Sequence, residues 1–462
     1  MKNIFYSLLF LLPFSCLAQP LTLDKCREMA LENSFNVKNS ELNLDISKDT
    51  YKAYRSNFYP NISASASYLY STMSFSESIT GGYLPTFTPD LTTGTMTPNV
   101  IGYSSDGTPI FSSYAYMPDI DFDFEVGSVF SAGLIASQPI YMGGKVSTAT
   151  KLAKLGIATA QIQQNLTKTE VIIKTDEAFY TYLKVNEMQQ SADAFREVVD
   201  ELYRMVNDML GNGLCTQNEL LKVQIKVGEA ELNQLKAKNA RALSRMNLCY
   251  MLGMSITTSE LEVVDNFNLT PELDPSLDVS SRAEYSLLDK NIEAKGLELK
   301  LSKSDFIPQI SAMASYNYTN GLSINNQTML GSSPSFTGGV VVSIPIFHAS
   351  ETRHKASAAR HRIAIAENTK KDLVHQMTLE LKQAINTVSE STAELKLMER
   401  TEQSAKENLR QMGEQYTHGM CTLSEVLEAQ ALWQKSMSDV IESRANVRLA
   451  YLNYQRAKGI DM

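Results

Sequence analysis

Phe58-Tyr59-Pro60-Asn61-Ile62-Ser63-Ala64-Ser65-Ala66-Ser67-Tyr68-Leu69-Tyr70 returns 248 residues later as Phe306-Ile307-Pro308-Gln309-Ile310-Ser311-Ala312-Met313-Ala314-Ser315-Tyr316-Asn317-Tyr318. In each copy the proline stops any preceding helix, because it lacks an N–H and pushes its predecessor into an extended conformation. Beyond it the pattern has a period of two. Ile62, Ala64, Ala66, Tyr68 and Tyr70 take one side, and Ser63, Ser65, Ser67 and Ser71 the other. Such a strand has one apolar face, with tyrosines at one end, and one small hydrophilic face. A transmembrane β-strand divides lipid from lumen in this way, and a soluble sandwich strand alternates likewise.

Two further blocks recur. Gly133 with Ser137-Gln138-Pro139-Ile140-Tyr141 returns as Gly339 with Ser343-Ile344-Pro345-Ile346-Phe347. Gly213-Leu214-Cys215-Thr216 with Glu219 and Gly253 returns as Gly419-Met420-Cys421-Thr422 with Glu425 and Gly459. These two blocks share one offset of 206 residues, so the larger offset of the first block marks an insertion between Tyr70 and Gly133 in the early copy. Two copies of a long supersecondary unit predict a pseudo-symmetric assembly. A partner strand precedes each second proline. Ile120, Phe122, Phe124, Val126, Phe130, Ala132, Leu134 and Ala136 hold one parity, while Asp119, Asp121, Asp123 and Glu125 hold the other. The expected strands are about 61–71, 119–138, 309–319 and 335–344.

After Pro139 and Pro345 the period becomes helical. Leu155, Ile162, Leu166, Ile173 and Tyr180 are spaced as in a heptad seam. A second apolar stripe starts past Gly211-Asn212-Gly213: Leu221, Ile225, Gly228, Leu232, Leu235, Ala242, Met246 and Cys249. The chain therefore turns at 211–215, and again at 417–421. A helix from Val146 to Leu210 would run about 100 Å. The returning helix to Leu252 is shorter, and a helix from Leu23 to Asn57, broken near Asn33-Ser34, supplies the missing length. The two short helices are expected to stack end to end against the long one, in both copies.

The bulk composition excludes several classes. The formal net charge of −9, without a basic patch, argues against nucleic acid as a partner. Residues 1–18 read as an export signal: Lys2, an apolar core from Ile4 to Leu12, and Cys16-Leu17-Ala18 before Gln19. Acylation of Cys16 is the alternative reading of that segment. Past it, no apolar run is long enough for a membrane-crossing helix. Cys26, Cys215, Cys249 and Cys421 make no metal motif. Cys215 with Cys421, and Cys26 with Cys249, are candidate disulfide pairs if their Cα atoms approach within about 7 Å. His354, His361 and His375 fall at multiples of seven, and ligands about 10 Å apart on one helix cannot share a single ion. No phosphate loop, nucleophile motif or catalytic triad is present, so neither an enzyme nor a cofactor is expected.

Helix, proline, strand, loop, strand, proline, long helix, glycine turn and helix, given twice behind a signal, resembles the TolC family of outer-membrane efflux channels. The residues that carry the resemblance are Leu21-Thr22-Leu23-Asp24, Ala30-Leu31-Glu32-Asn33, the Phe-x-Pro pair at 58–60 and 306–308, and Ser137 to Gly144. Tyr416 to Gly419, Glu425-Val426-Leu427, Ala429-Gln430 and Asn453 to Gly459 complete it. The resemblance covers nearly the whole mature chain. It implies a mainly α protein with a membrane β-barrel: a homotrimer, each chain giving four strands to a twelve-stranded barrel and long antiparallel coiled-coil helices to a periplasmic tunnel. On this reading 1–18 is the signal peptide, 19–253 the first repeat, 254–280 a linker and 281–462 the second repeat. The protein would sit in the outer membrane, in contact with its lipid, and extend into the periplasm. Its partners would be a periplasmic adaptor (membrane fusion) protein and an inner-membrane pump of the resistance-nodulation-division or ABC type. The alternative is an envelope adhesin or structural coiled-coil protein without channel activity.

Two sites follow. Ser56 to Gly144 contains no Lys or Arg, so Asp119, Asp121, Asp123 and Glu125 are either a solvated loop or a negative vestibule that biases a pore toward cations. At the far tips, Glu425 and Glu428 share a helix face. By resemblance they form the acidic constriction of a periplasmic gate, crowded enough to resist ionising together. The resemblance also places a tyrosine-to-acid bond between neighbouring coils, and Tyr416 and Glu219 match its two positions. An arginine of the family's best-known members is replaced here by Cys421, which leaves Lys222 as a substitute partner for a carboxylate.

Overall fold

The computed structural model describes residues 21–257, 261–264, 271–324, 327–330, 333–347 and 349–460; the side chains of 124–128 and 321–333 are also outside the description. The signal segment and Cys16 therefore lie outside the described residues. The chain divides into a β unit, Ala53–Thr148 with Leu301–Thr352, and a helical unit formed by the rest, so each unit draws on both repeats.

In the β unit, β1 (Asn61–Ile79) is followed by six short strands: β2 (Gly82–Pro85), β3 (Phe87–Pro89), β4 (Met96–Pro98), β5 (Val100–Tyr103), β6 (Pro109–Phe111) and β7 (Tyr114–Met117). Then come β8 (Ile120–Met142), β9 (Gln309–Ile324), β10 (Gln327–Leu330) and β11 (Ser333–Ser343). The four long strands form one antiparallel sheet in the order β1-β8-β9-β11, with β10 on the end of β9. The insertion is not a bare loop. It folds as three two-stranded ribbons: β2 with β7 at the neck, and beyond it the hairpins β3 with β4 and β5 with β6.

β1 runs eight residues past its expected end, and the reason is a bulge between Tyr70 and Met73. The extra residue breaks the sequence alternation at Ser71-Thr72. In space it preserves the alternation, because Met73 pairs with Val126 and Phe75 with Phe124 just as Tyr68 pairs with Phe130. The register then aligns side chains across the sheet. Ala64, Leu134, Tyr316 and Phe336 form one row, and Ile62, Ala136, Ala314 and Gly338 the next. The opposite face is small and polar: Ser65, Gly133, Asn317 and Ser335 pair in sequence. There the Asn317 side chain lies over Gly133, where any Cβ would collide with it.

The helical unit is two versions of one motif. The first has α1 (Leu23–Asn33), α2 (Phe35–Ser56), α3 (Lys145–Gly211) and α4 (Gln217–Leu252); the second has α5 (Ala283–Ser304), α6 (Glu351–Thr417) and α7 (Leu423–Lys458). The lengths repeat: 22 residues in α2 and α5, 67 in α3 and α6, 36 in α4 and α7. α1 has no helical counterpart.

The expected end-to-end stacking is present, and both copies build the joint alike. Gly253 and Gly459 cap α4 and α7 in the left-handed conformation. Asn33 Nδ2 donates to the Leu252 carbonyl at 3.0 Å, and Ser281 Oγ to the Lys458 carbonyl at 2.7 Å. These donors are equivalent positions just before α2 and α5, so each short helix starts where a returning helix ends.

The stripe on α4 is where the structure departs from the sequence pattern. Leu221, Ile225, Leu232 and Leu235 are exposed; Cys249 of the stripe is buried, and the rest of the core is built by Leu220, Val223, Ala230, Leu248 and Leu252. Packing against α3 uses a face rotated from the most apolar one. All four described cysteines are free. Cys26 and Cys249 share one buried cluster with Phe179 and Tyr182, so neither candidate disulfide forms within the chain.

One ion pair is sealed in this core. Asp176 has no exposed surface, and Arg27 of α1 holds it with three bonds, Nε to Oδ1 at 2.9 Å and to Oδ2 at 3.2 Å, and Nη2 to Oδ2 at 2.5 Å. Burial raises the Asp176 pKa, against the pull of Arg27. Removing one partner of a buried pair strands the other charge, typically costing about 3–5 kcal/mol, whereas replacing both by apolar groups is far milder. Arg27→Met should therefore lower the thermal midpoint clearly more than Arg27→Met with Asp176→Leu, followed by circular dichroism. With Arg27 gone, the native carboxyl titrates higher still, so the loss should shrink as pH falls through that raised value; equal losses in single and double variants at all pH values would refute this account.

Candidate functional site

Two places carry the functional residues, one in each unit. The first is the sheet. In the isolated chain its apolar face is bare: Ile62 is 69 % exposed and Val340 62 %. Large aromatic side chains border this face at both ends. Tyr68, Tyr70 and Tyr316 stand at one end, and Phe58, Tyr59, Tyr141 and Phe347, all exposed, at the other. About ten residues separate the two belts, which is the length a tilted strand needs to cross the hydrocarbon of a bilayer. The second belt escaped the sequence pattern because its members lie outside the alternating run, next to Pro60, Pro139 and Pro345. The sheet also ends at two open edges, β1 and β11.

The acidic stripe continues the polar face of β8. Asp121, Asp123 and Glu125 lie opposite Ser78, Ser76 and Ser74. Two carboxylates have structural work: Asp119 Oδ1 accepts the Gly81 N–H at 2.6 Å, closing the neck of the insertion, and Asp123 Oδ1 accepts Ser76 Oγ at 2.5 Å. Asp121 is exposed. The Glu125 side chain is outside the described residues.

The second place is the helical tip, where two turns are built from the same parts. Gly213 and Gly419 take left-handed φ of 73° and 70°. The next residues, Leu214 and Met420, close the turn by donating to Met209 and Gln415, each at 2.8 Å. Cys215 and Cys421 donate Sγ–H to the Val206 and Met412 carbonyls at 3.3 Å. Thr216 and Thr422 then cap α4 and α7, each in a capping box with the glutamate three residues on.

Glu219 and Glu425 are thus committed to their own helices. Glu219 Oε2 accepts the Thr216 N–H at 2.8 Å, and Glu425 Oε2 the Thr422 N–H at 2.7 Å. The Thr-x-x-Glu spacing is the sequence signal for this role. Within the single chain, and among the described residues, the tyrosine-to-acid bond implied by resemblance is not made. Tyr416 is buried in a cluster with Leu202, Val206 and Leu423, and its hydroxyl has no hydrogen-bond partner among the described residues. Among the described residues of the single chain, Lys222 reaches no carboxylate either; its Nζ lies 3.4 Å from Ser424 Oγ, tying α4 to α7. Glu428 is exposed one turn on. The direction of the Glu425 shift within one chain is also opposite to the crowding expectation: the Thr422 N–H, then its hydroxyl, lowers the pKa from 4.5. Among the described residues no cluster of His, Cys, Asp or Glu could hold a metal.

Comparisons with known proteins agree with this geometry. The family described as Outer membrane efflux protein matches residues 26–254 and 289–459. The alkaline protease secretion protein AprF of Pseudomonas aeruginosa is 20 % identical over 367 residues, 77 % of this chain and 74 % of AprF. Among solved structures, the CmeC outer membrane channel of Campylobacter jejuni superposes with a TM-score of 0.72 at 17 % identity, covering 95 % of this chain and 85 % of CmeC. The outer membrane protein VceC of Vibrio cholerae gives 0.70 at 15 % identity, covering 95 % and 96 %.

At the tip, Thr422→Ala should cost about 1 kcal/mol by uncapping α7. Tyr416→Phe removes an unpartnered buried hydroxyl and should leave stability unchanged or raised. Unfolding followed by fluorescence of Trp433, the single tryptophan, measures both. Because the folded Glu425 pKa is depressed, its capping contribution is full above 4.5 and fades as pH falls through the lower value, so the tip should hold in mild acid. A tip that loosens near pH 6, or a destabilised Tyr416→Phe, would contradict the capping account.

Proposed function

The chain belongs to the outer membrane efflux protein family, and from that premise we propose that it is the passive exit duct of a tripartite efflux or type I secretion system. It resides in the outer membrane and extends into the periplasm. The observation that carries the proposal is the sheet: four strands with an apolar face, a small polar face and two unpaired edges. Lipid cannot satisfy free backbone N–H and C=O groups, so β1 of one copy must pair with β11 of another until the ring closes. Three copies give twelve strands, with serine, glycine, asparagine and threonine facing the water-filled interior.

No nucleotide loop or catalytic cluster is visible in the sequence, so transport energy comes from partners. These are a periplasmic adaptor and an inner-membrane pump of the resistance-nodulation-division or ABC type. AprF, named for secretion of alkaline protease, favours a protein cargo as the second reading beside small-molecule efflux. The periplasmic gate is the helical tip. There Glu428 is the carboxylate left free to face the axis, flanked by the cap residue Glu425, while Lys222, Tyr416 and Glu219 brace the turns. The negative stripe on β8 forms the vestibule.

Purified protein should run as a heat-modifiable trimer and conduct in planar bilayers; an envelope adhesin would do neither. In a KCl gradient the reversal potential should indicate cation preference, and Asp121→Asn with Asp123→Asn should move it toward zero. Unchanged selectivity would remove the vestibule. Divalent cations should lower the conductance by binding the Glu428 carboxylates, and a block that survives Glu428→Gln would place the constriction elsewhere.

A further inference from the structure

A polar groove of about 960 Å³ follows α3, with α2 on one side and α5 on the other. α3 supplies its floor through the buried Leu155, Gln164 and Val171. Carboxamides and hydroxyls line it, among them Asn36, Asn39 and Asn43 of α2 with Thr159, Gln163 and Thr167 of α3. The charges at its rim are neutralised in pairs, Lys174 with Glu170 at 2.7 Å and Lys290 with Glu293 at 3.0 Å. Among the described residues no aromatic ring borders it.

Helix packing does not require this lining, and the second repeat shows why. Shifting α2 by 248 residues and α3 by 206 gives the contact between α5 and α6. There Ser40 and Thr167 become Leu288 and Leu373, which pack on the core that holds Leu381 and Tyr454. Gln164 becomes Lys370, bonded to Asp289 at 2.5 Å, while Asn39 and Thr159 become Leu287 and Ile365. The first repeat forgoes that apolar packing. Its Gln164 is only 6 % exposed and accepts one bond, from Gln161 at 3.3 Å; its own amide N–H groups have no partner among the described residues. Burying an amide without partners is costly, and this one borders the groove, where a bound ligand can satisfy it.

We propose that this groove binds an extended stretch of the polypeptide that the duct exports, through that polypeptide's main chain. This rests on the duct reading above and narrows its cargo to protein. Carboxamides carry the same donors and acceptors as peptide groups and therefore pair with them. The spacing fits as well. Asn39 to Asn43 and Gln163 to Thr167 are four-residue steps, about 6 Å along a helix. An extended chain repeats its N–H and C=O on one edge every second residue, about 6.6 Å. From Leu152 to Lys174 the groove runs about 33 Å, room for about ten extended residues. The neutral rim offers a charged solute no counter-ion, and without a ring in the lining a flat aromatic solute has nothing to stack on. A ring of helices is concave toward its axis, so a trough walled by the two neighbours of α3 opens into the duct.

The test uses the full-length trimer and an uncharged radiolabelled probe, a Gly-Ser repeat peptide of about ten residues with acetyl and amide ends, in equilibrium dialysis. The triple variant Asn39→Leu, Thr159→Ile and Gln164→Leu, two of whose changes copy the second repeat, should bind the probe at least about fivefold more weakly, the worth of one hydrogen bond. A probe with sarcosine in place of glycine lacks about half of the N–H donors and should bind the unsubstituted protein as weakly. Maltopentaose, neutral but without amides, should not displace the probe. In planar bilayers the probe should interrupt the current, and the interruptions should shorten in the variant by the same factor. The inference fails if the variant or the sarcosine probe binds as tightly as the original pair, or if maltopentaose displaces the peptide. Binding that leaves the current untouched overturns it too, because the groove then opens outward. A conducting trimer that fails these tests loses only the groove, whereas a monomer without conductance refutes the duct itself.

Discussion

Every backbone N–H and C=O in hydrocarbon must be bonded, and this constraint governs the rest of the molecule. A four-stranded sheet bonds its interior strands fully and leaves two edges. In water the edges would be hydrated, but the bare apolar face of this sheet excludes water as its surroundings. The face and the edges therefore make one demand: the chain cannot occupy a bilayer alone. The bulge in β1 belongs to the same logic, since without it the residues past Tyr70 would turn their apolar side toward the polar face. One inserted residue keeps Met73 and Phe75 in line with Tyr68.

The helical unit solves a different problem, that of holding long helices straight where no single core exists. Its buried clusters are separate and strung along the helices, the largest holding fourteen buried residues and the smallest three. Fixed joints between them do the rest. A left-handed glycine ends each returning helix, and a side-chain amide or hydroxyl from just ahead of the abutting short helix satisfies its last carbonyl. Capping boxes start each returning helix at the other end. The Arg27–Asp176 pair adds orientation more than stability: a buried charge tolerates only the arrangement that pairs it, so it pins α1, which has no counterpart in the second repeat, onto α3.

Much of this was legible in the sequence because repetition doubles each signal. The Phe-x-Pro runs at 58–60 and 306–308 located two strands, the shared offset of 206 residues located both tips, and heptad spacing from Leu155 to Tyr180 located the long helix. Other features were hidden for physical reasons. β1 outlasts its alternation because, in sequence, a bulge looks like the end of a strand. The α4 stripe of Leu221 to Cys249 looked like a core seam, although hydrophobicity cannot say whether the neighbour belongs to the same chain. At the tip, the acids were read for their charge, while Thr216-x-x-Glu219 and Thr422-x-x-Glu425 already specified caps by spacing. The buried hydroxyl of Tyr416 has no sequence signature, because its isolation depends on which partners the caps have taken.

That competition bears on how a tip of this kind can open. If Glu219 and Glu425 were held by groups on the opposite coil, parting the coils would break charged hydrogen bonds. Here both carboxylates are satisfied inside their own helices and travel with them, and both thiols donate to carbonyls within their own turns. What joins one coil to the next at the tip is apolar packing around Leu202, Leu220, Tyr416 and Leu423, with the Lys222–Ser424 contact at its edge. Apolar contacts are non-directional and tolerate sliding better than ionic ones do. The two hairpins are thus intact, capped bodies, and the resistance to parting them is set by the apolar area that their shared cluster would expose.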